Sequence, residues 1–298
     1  MIMINGGVHT FGGTVTNNGP VAGRDVVWGS APRTGPAPQR RSADIGILTI
    51  LDEEIRAVQA VLRQMADYHE RRLSHGPLAR EAWLPGRGTP RIRVAAVQAF
   101  TRGTNSAALA YRGLVEEYHP AVVLLVGIAG GVGRGVEVGD VVLADEIISY
   151  DARREAPDGI HRRGQAQSVA VSLGYRLNDF CAATPAEQRR PDGESFRIHR
   201  GPIGTGNAVV TDAGSEIRRW LHHFHEKVLA VETEAAGVAQ SFHESVRQDA
   251  GLRGWLTVRG ISDTADQHKG HAFHDLAARH AAEVMGMLVP YLDFGPAG

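Results

Sequence analysis

The stretch IGILTILDEEIRAVQAVLRQM, residues 45–65, changes its period halfway along. Residues 45–51 are a continuous apolar run of strand length, the pattern of a strand covered on both faces. From Asp52 onward the apolar residues Ile55, Val58, Leu62 and Met65 recur at three- and four-residue spacing, one face of a helix, which predicts a helix over 52–65. A buried strand running directly into an amphipathic helix is the repeating unit of an α/β protein.

The same unit recurs along the chain. RIRVAAVQAF (91–100) reads as a strand, TNSAALAYRGLVEEY (104–118) as an amphipathic helix, and AVVLLVGIAGG (121–131) as a third buried strand that ends in glycines. DVVLADEII (140–148), KVLAVE (227–232) and WLTVRG (255–260) supply further strands. The fold class expected is therefore α/β, a mixed, mostly parallel central sheet flanked by helices, filling residues 43–298 as one catalytic domain. Residues 1–42 differ in texture. INGGVHTFGGTVTNNGPVAGRDVV mixes Gly and Asn with alternating Val, Thr and Phe, and reads as short β turns; SAPRTGPAPQRR is a Pro-rich linker. Such an arm is open to disorder, to self-association or to docking a regulatory protein partner.

Composition excludes several classes of function. With 32 basic and 33 acidic residues the chain lacks the basic footprint of a nucleic-acid binder. The start, MIMINGGVHT, is no signal peptide, and no later run has the length of a membrane span, so a cytoplasmic, membrane-free protein is expected. The single cysteine, Cys181, permits no intramolecular disulfide and reads as a packing residue. The 14 histidines include HHFH (222–225) and HAFHDLAARH (271–280), but HExxH and paired CxxC are absent, so these read as solvated helix faces; neither a metal nor a cofactor is expected.

In an α/β sheet, ligands gather at the carboxyl ends of the strands, and four strand ends carry chemistry here. Glu53 and Glu54 follow the first strand, where they equally suit the positive end of a helix. VGIAGGVGRG (126–135) has glycines that admit close backbone approach to a sugar or phosphate, yet it lacks the Lys-Ser/Thr of a P-loop, and a strand pattern follows it where a dinucleotide fingerprint opens a helix. In LAVETEAAGVAQSF (229–242), Glu232 and Glu234 stand between a strand and a small-residue helix, where a carboxylate can accept both hydroxyls of a ribose or simply serve the helix end. In WLTVRGISDTADQHKG (255–270) an apolar strand hands over to Ser262 and Asp263, and a poorly solvated Asp there can hold a proton for a leaving group or merely terminate a turn.

Taken together, IGILTILDEE, GIAGGVGRGVEVGDVVLADE, GTGNAVV, AVETEAAGVA and RGISDTAD, in this order, resemble the purine nucleoside phosphorylase and nucleosidase superfamily over nearly the whole span after the linker. The resemblance implies that Asp263, steadied by Ser262, protonates or hydrogen-bonds the leaving purine. Glu234 would bind the ribose diol with Thr233 and Glu232 beside it. Ala129, Gly130 and Gly131 would lie near the sugar or attacking group, and Val209 and Val210 near the base. It also implies a homo-oligomer. Where the phosphorolytic branch resembles Gly-Asp-Pro with a following Arg, this chain has LDEE, and an anionic pair repels phosphate. Glu54 falls where the hydrolytic branch places its water-activating glutamate, so hydrolysis of a purine nucleoside or nucleotide, adenine above all, is the expected reaction.

The substrate's 5' group is addressed by departures from the pattern. Methylthioadenosine/adenosylhomocysteine nucleosidases usually have Met between the two carboxylates and an aromatic near the base; here Thr233 and Val209 stand there, with Phe273 left to cover part of the site. FTRGTNSAAL (100–109) and DTADQHKG (263–270) look more like nucleosidase domains of NLR-like immune and antiphage proteins, some of which cleave ATP. That resemblance implies Arg102 and Lys269 as contacts for a phosphorylated tail, and a role in defence.

Overall fold

The computed structural model describes residues 2–4, 7–9, 42–74, 76–190, 193–246, 251–266 and 271–294. The chain divides into two units, Met1–Gln39 and Arg40–Gly298. In the first, β1 (Ile2–Ile4) and β2 (Gly7–His9) pair antiparallel, and the rest of the Gly/Asn-rich arm lies outside the described residues. The Pro-rich linker at 30–41 lies outside the described residues.

The second unit begins with β3 (Ile45–Thr49), α1 (Asp52–Leu62), β4 (Ala66–Arg72), β5 (Leu78–Leu84), β6 (Ile92–Gln98) and α2 (Thr104–Tyr118). It continues through β7 (Val122–Gly131), β8 (Val141–Ser149), β9 (Arg153–Ala156), β10 (Gly159–Arg162), β11 (Gln165–Ser168), α3 (Val171–Ala183), β12 (Glu187–Arg189) and β13 (Ser195–Thr205). Last come α4 (Glu216–Phe224), β14 (Ala230–Glu232), α5 (Ala235–Ser245), β15 (Gly254–Asp263), α6 (His274–Leu288) and a 3-10 turn at Val289–Tyr291. The predicted helix at 104–118 is α2, and that at 52–65 is α1, which stops at Leu62.

The sheet is mixed. β3 runs parallel to β6 and β7, β7 to β15, and β13 to β8 and β14, while β4 and β5 extend one edge antiparallel. β15 also pairs antiparallel with β8, and β14 with β7, so the strands β7, β15, β8, β13 and β14 close into a ring. The sequence pattern implies a mixed, mostly parallel sheet flanked by helices, as found; ring closure depends on which strand ends meet, which residue periodicity does not encode. Apolar side chains alternate between the two faces as a strand's period of two requires. Val122, Leu124 and Val126 of β7 pack in one cluster with Val58 and Leu62 of α1 and Met285 of α6. Val123 and Leu125 join the other with Tyr111 and Leu114 of α2 and Val238 of α5.

Two readings of the histidine and cysteine positions are corrected. His280 is buried, stacked on Phe196 at 4.2 Å, with Nδ1 2.6 Å from the carbonyl of Gly139; it belongs to the packed face of α6 and not to a solvated one. Cys181 is exposed on α3, because that helix turns Leu173, Leu177 and Phe180 inward.

Candidate active site

The carboxyl ends of β3, β7, β13, β14 and β15 meet around a cavity of 590 Å³, within the size range of small-molecule sites. Glu54, Ala129, Gly130, Val209, Val210, Glu232, Thr233, Glu234, Ser262, Asp263 and Arg102 all line it. Groups as far apart in sequence as Glu54 and Ile128, 74 residues, and Gly103 and Glu234, 131 residues, are thus brought together by the strand order.

Glu54 sits in the first turn of α1, reaching back so that Oε2 accepts the N–H groups of Ile50 (2.7 Å) and Leu51 (2.9 Å). Leu51 is the N-cap of α1 and Ile50 the residue before it, so one acidic side chain in the first turn satisfies two amides at the strand-to-helix junction. Oε1 accepts the N–H of Ile128 at the end of β7, 2.9 Å away. Burial raises the pKa of Glu54 above its ordinary 4.5; Arg259 and the three amides oppose that rise without cancelling it.

Arg259 is the residue that reading the motifs missed. It is 0 % exposed in β15, with Nη2 3.1 Å from Glu234 and hydrogen-bonded to Glu232, and Nη1 3.7 Å from Glu54. One guanidinium therefore ties three carboxylates from two chain segments, the start of α1 and the junction of β14 with α5. Burial works against its charge, but Glu232, Glu234 and Glu54 overcome it and raise its pKa further. The signal was present in WLTVRG: an arginine inside an otherwise apolar strand requires buried acidic partners.

The two outer carboxylates of this group differ in function. Glu232 accepts the N–H groups of Glu234 (3.0 Å) and Ala235 (3.0 Å), closing the start of α5, so it serves the helix end while its side of the cavity remains lined. Its pKa is raised by burial, against Arg259 and with the help of Glu234. Glu234 accepts from Gly103 N–H at 3.0 Å and from the Thr233 hydroxyl through Oε1, and from Arg259 through Oε2. A carboxylate has about four lone-pair positions and three are met inside the protein, so Oε2 keeps acceptor capacity for one sugar hydroxyl. Gly103 can make its bond because its φ of 99° lies in the left-handed region that favours glycine.

Asp263 ends β15, where the register with β7 shifts between Ile261 and Asp263, leaving Ser262 as the bulged residue. A bulge re-aims the following side chain, and here it turns Asp263 into the cavity. Its oxygens accept from Ser262 Oγ (2.9 Å) and Ala265 N–H (2.8 Å), which fix the carboxyl plane.

The glycines of β7 make room for these groups. Gly127 pairs with Arg259 across the strands, and a Cβ there would collide with Glu54 Oε1 and Arg259 Nη1. Gly130 pairs with Asp263, and its Cβ would stand 2.9 Å from Asp263 Oδ1. The expected close approach is thus made by the protein's own side chains at both positions.

Several expected residues are placed differently. Gly131 is not part of the lining, since its open side faces Ile261 and Val136. Phe273 is 49 % exposed and outside the lining; its neighbours His271 and His274 take the cavity wall, because Phe273 is the residue before α6 and its side chain turns out to solvent. Lys269 lies outside the described residues. Tyr150, unforeseen, lines the cavity and donates to the carbonyls of Gly206 (3.0 Å) and Ala208 (2.7 Å), fixing the loop that carries Val209 and Val210. Among the described residues no cluster of His, Cys, Asp and Glu is arranged to hold a metal ion, and no helix is long and apolar enough to cross a membrane.

A closed ring of strands with carboxylates at its rim, continued by an α/β sheet, defines a nucleoside phosphorylase-like fold. The pattern of the Phosphorylase superfamily matches residues 44–291, and the chain belongs to that superfamily. It is 30% identical over 173 residues to a 5'-methylthioadenosine/S-adenosylhomocysteine nucleosidase of Exiguobacterium, covering 58% of this chain and 69% of that one. With the enzyme of the same name from Actinobacillus succinogenes it shares 30% identity over 190 residues, 62% of this chain and 76% of the relative. Among solved structures, an S-adenosylhomocysteine nucleosidase from Streptococcus pyogenes bound to 5-methylthiotubericidin superposes with a TM-score of 0.66 at 22% identity, covering 85% of this chain and 98% of that one. Futalosine hydrolase of Helicobacter pylori gives 0.63 at 19% identity, covering 84% and 97%. These likenesses establish the fold.

Proposed function

We propose that this protein hydrolyses the N-glycosidic bond of adenine nucleosides or nucleotides. The observation that carries the reading is the pair Glu54 and Asp263, two carboxyls from different strand ends lining one cavity, which Glu234, tied with Glu54 to Arg259, also lines. The names of the relatives, nucleosidases and a hydrolase, support the same reaction type.

In this reaction the bond from C1' to the purine breaks while the water oxygen bonds to C1'. Asp263 delivers a proton to the purine at its leaving face. Glu54 takes a proton from the water, a transfer that its raised pKa favours. Acid and base flanking a glycosidic bond with room for water between them is the arrangement of inverting glycoside hydrolysis. Glu234 holds a sugar hydroxyl, and Val209, Val210 and Tyr150 bound the space for the base. Glu54 also supports water over phosphate as the nucleophile, because an anionic carboxylate faces the cavity where a phosphorolytic enzyme needs a cation.

The test is release of free base, separated by chromatography, from adenosine, methylthioadenosine, AMP and ATP and from the guanine and hypoxanthine equivalents, in phosphate-free buffer. Adenine and free ribose (or its 5'-substituted form) are expected. Base release that requires added phosphate, with ribose 1-phosphate as product, overturns the hydrolytic reading. ATP is the arm that speaks to the defence role implied by the immune-domain resemblance. Self-association is supported by Phe100 and Leu109, 101% and 69% exposed, and is checked by sedimentation.

A further inference from the structure

The loop that carries Val209 and Val210 is tied to the loop that carries Arg102 and Gly103 by one side chain standing behind the cavity wall. Asn207 is exposed and is not part of the lining. Its backbone N–H and its Nδ2 both donate to Asp151 Oδ2 at 2.8 Å, and its Oδ1 accepts the N–H of Thr104 at 3.2 Å. A carboxamide donates from one atom and accepts at the other. An aspartate here would set two carboxylates against each other, and an apolar side chain would lose both side-chain bonds.

Thr104 is the first residue of α2, and the N-cap, Gly103, has no side chain to close that helix end. Its two leading amides are met from elsewhere in the chain: Gly103 N–H by Glu234 Oε1 at 3.0 Å, and Thr104 N–H by Asn207. The Thr104 hydroxyl donates to the carbonyl of Thr233 at 3.2 Å, a further tie to the junction of β14 with α5. The start of α2 is therefore held between the carboxylate proposed to bind the sugar and the loop proposed to bound the base. A Cβ at position 103 would stand 3.0 Å from Asn207 Oδ1, so glycine also permits the close approach. On its other side the base loop rests on Tyr150, whose hydroxyl donates to the carbonyls of Gly206 and Ala208 and which precedes Asp151 in the chain.

We infer that Asn207, anchored by Asp151, is a positioning residue that couples the base side of the site to its sugar side by fixing Gly103 against Glu234. The inference rests on the proposed N-glycosidase reaction and adds to it a residue that touches no substrate. Without the Asn207 acceptor the Thr104 amide turns to water, and the Gly103 N–H loses the support that aims it at Glu234 Oε1. Glu234 then turns more freely, and its Oε2 no longer meets a sugar hydroxyl at a fixed place.

The experiment compares adenine release from adenosine, 2'-deoxyadenosine and 3'-deoxyadenosine by the intact chain and by the N207L variant, with hydrogen exchange of the Gly103 and Thr104 amides measured in both. Position 207 is exposed, so the variant is expected to fold, and circular dichroism checks it. The expected result is a KM for adenosine raised about three- to tenfold in N207L, with kcat changed less. The intact chain should also penalise at least one deoxynucleoside, and that penalty should shrink about threefold or more in N207L, because the lost contact runs through the sugar carboxylate. Both amides should exchange faster in the variant. A KM and a deoxynucleoside penalty equal to those of the intact chain, or unchanged exchange, overturns the inference. An equal loss on all three substrates overturns the coupling to Glu234, as does an intact chain that treats the three alike, and both leave the N-glycosidase reading standing. No adenine from any of the three with the intact chain overturns that reading and this role with it.

Discussion

Replacing Arg259 with Met tests whether one guanidinium holds the site together. The side chain is fully buried and serves Glu54, Glu232 and Glu234, so the substitution keeps approximate volume and removes the cation common to all three. Removing one partner of a buried ion pair costs about 3–5 kcal/mol, because the remaining charge is left in a medium that solvates it poorly. At roughly 2–4 °C per kcal/mol for chains of 150–250 residues, the unfolding midpoint drops by about 6–20 °C. The loss must also depend on pH. Glu54 and Glu232 already have folded pKa values raised above 4.5 by burial, and without Arg259 they rise further. A carboxylate with a raised folded pKa contributes stability that is fully present below its unfolded value and is lost as pH rises through the folded one. The deficit of R259M is therefore smallest in acid and widens toward neutral pH, which scanning calorimetry at several pH values measures. A deficit constant across that range, or a midpoint equal to wild type at neutral pH, refutes the three-carboxylate argument.

Three further outcomes are expected. Asp263→Asn preserves the acceptor for Ala265 N–H but removes the proposed proton donor, and kcat should fall about 10²- to 10⁴-fold in the base-release assay. Glu54→Gln should lose activity by a similar factor and stability by about 1–3 kcal/mol, since an NH₂ group would face one of the backbone amides that both carboxylate oxygens now accept from; in wild type the acid limb of kcat/KM should lie above pH 4.5, where Glu54 loses its proton. Gly127→Ala should destabilise by about 1–3 kcal/mol or more, its methyl colliding with Glu54 and Arg259, whereas Gly113→Ala in α2, with nothing within 4 Å, should stabilise by about 0.5–1 kcal/mol; chemical denaturation separates the two.

The alternation of buried strand and amphipathic helix, the placement of Glu54 at a helix start and of Asp263 at a strand end, and the grouping of Glu232 with Glu234 all follow from local pattern. Continuous apolar runs of about five to eight residues that end in Gly or polar residues read as strands covered on both sides, and charges at their ends fall at the sheet's rim. The strands within residues 150–205 were less legible. β13 is long, yet its first half is largely exposed and polar, so its pattern shows little of the apolar run that marks a strand covered on both faces.

What the chain's own order of residues determined is the α/β class and the set of strand ends that carry the candidate side chains. Tertiary structure alone decided that five strands close into a ring, that Arg259 meets three carboxylates distant in sequence, and that Gly127 and Gly130 stand opposite the side chains they accommodate. It also decided that His271 and His274, and not Phe273, face the cavity. The reason is physical: periodicity reports which face of an element is apolar, whereas partners across strands and the aim of a side chain past a bulge or before a helix depend on register, which is set by packing of the whole core.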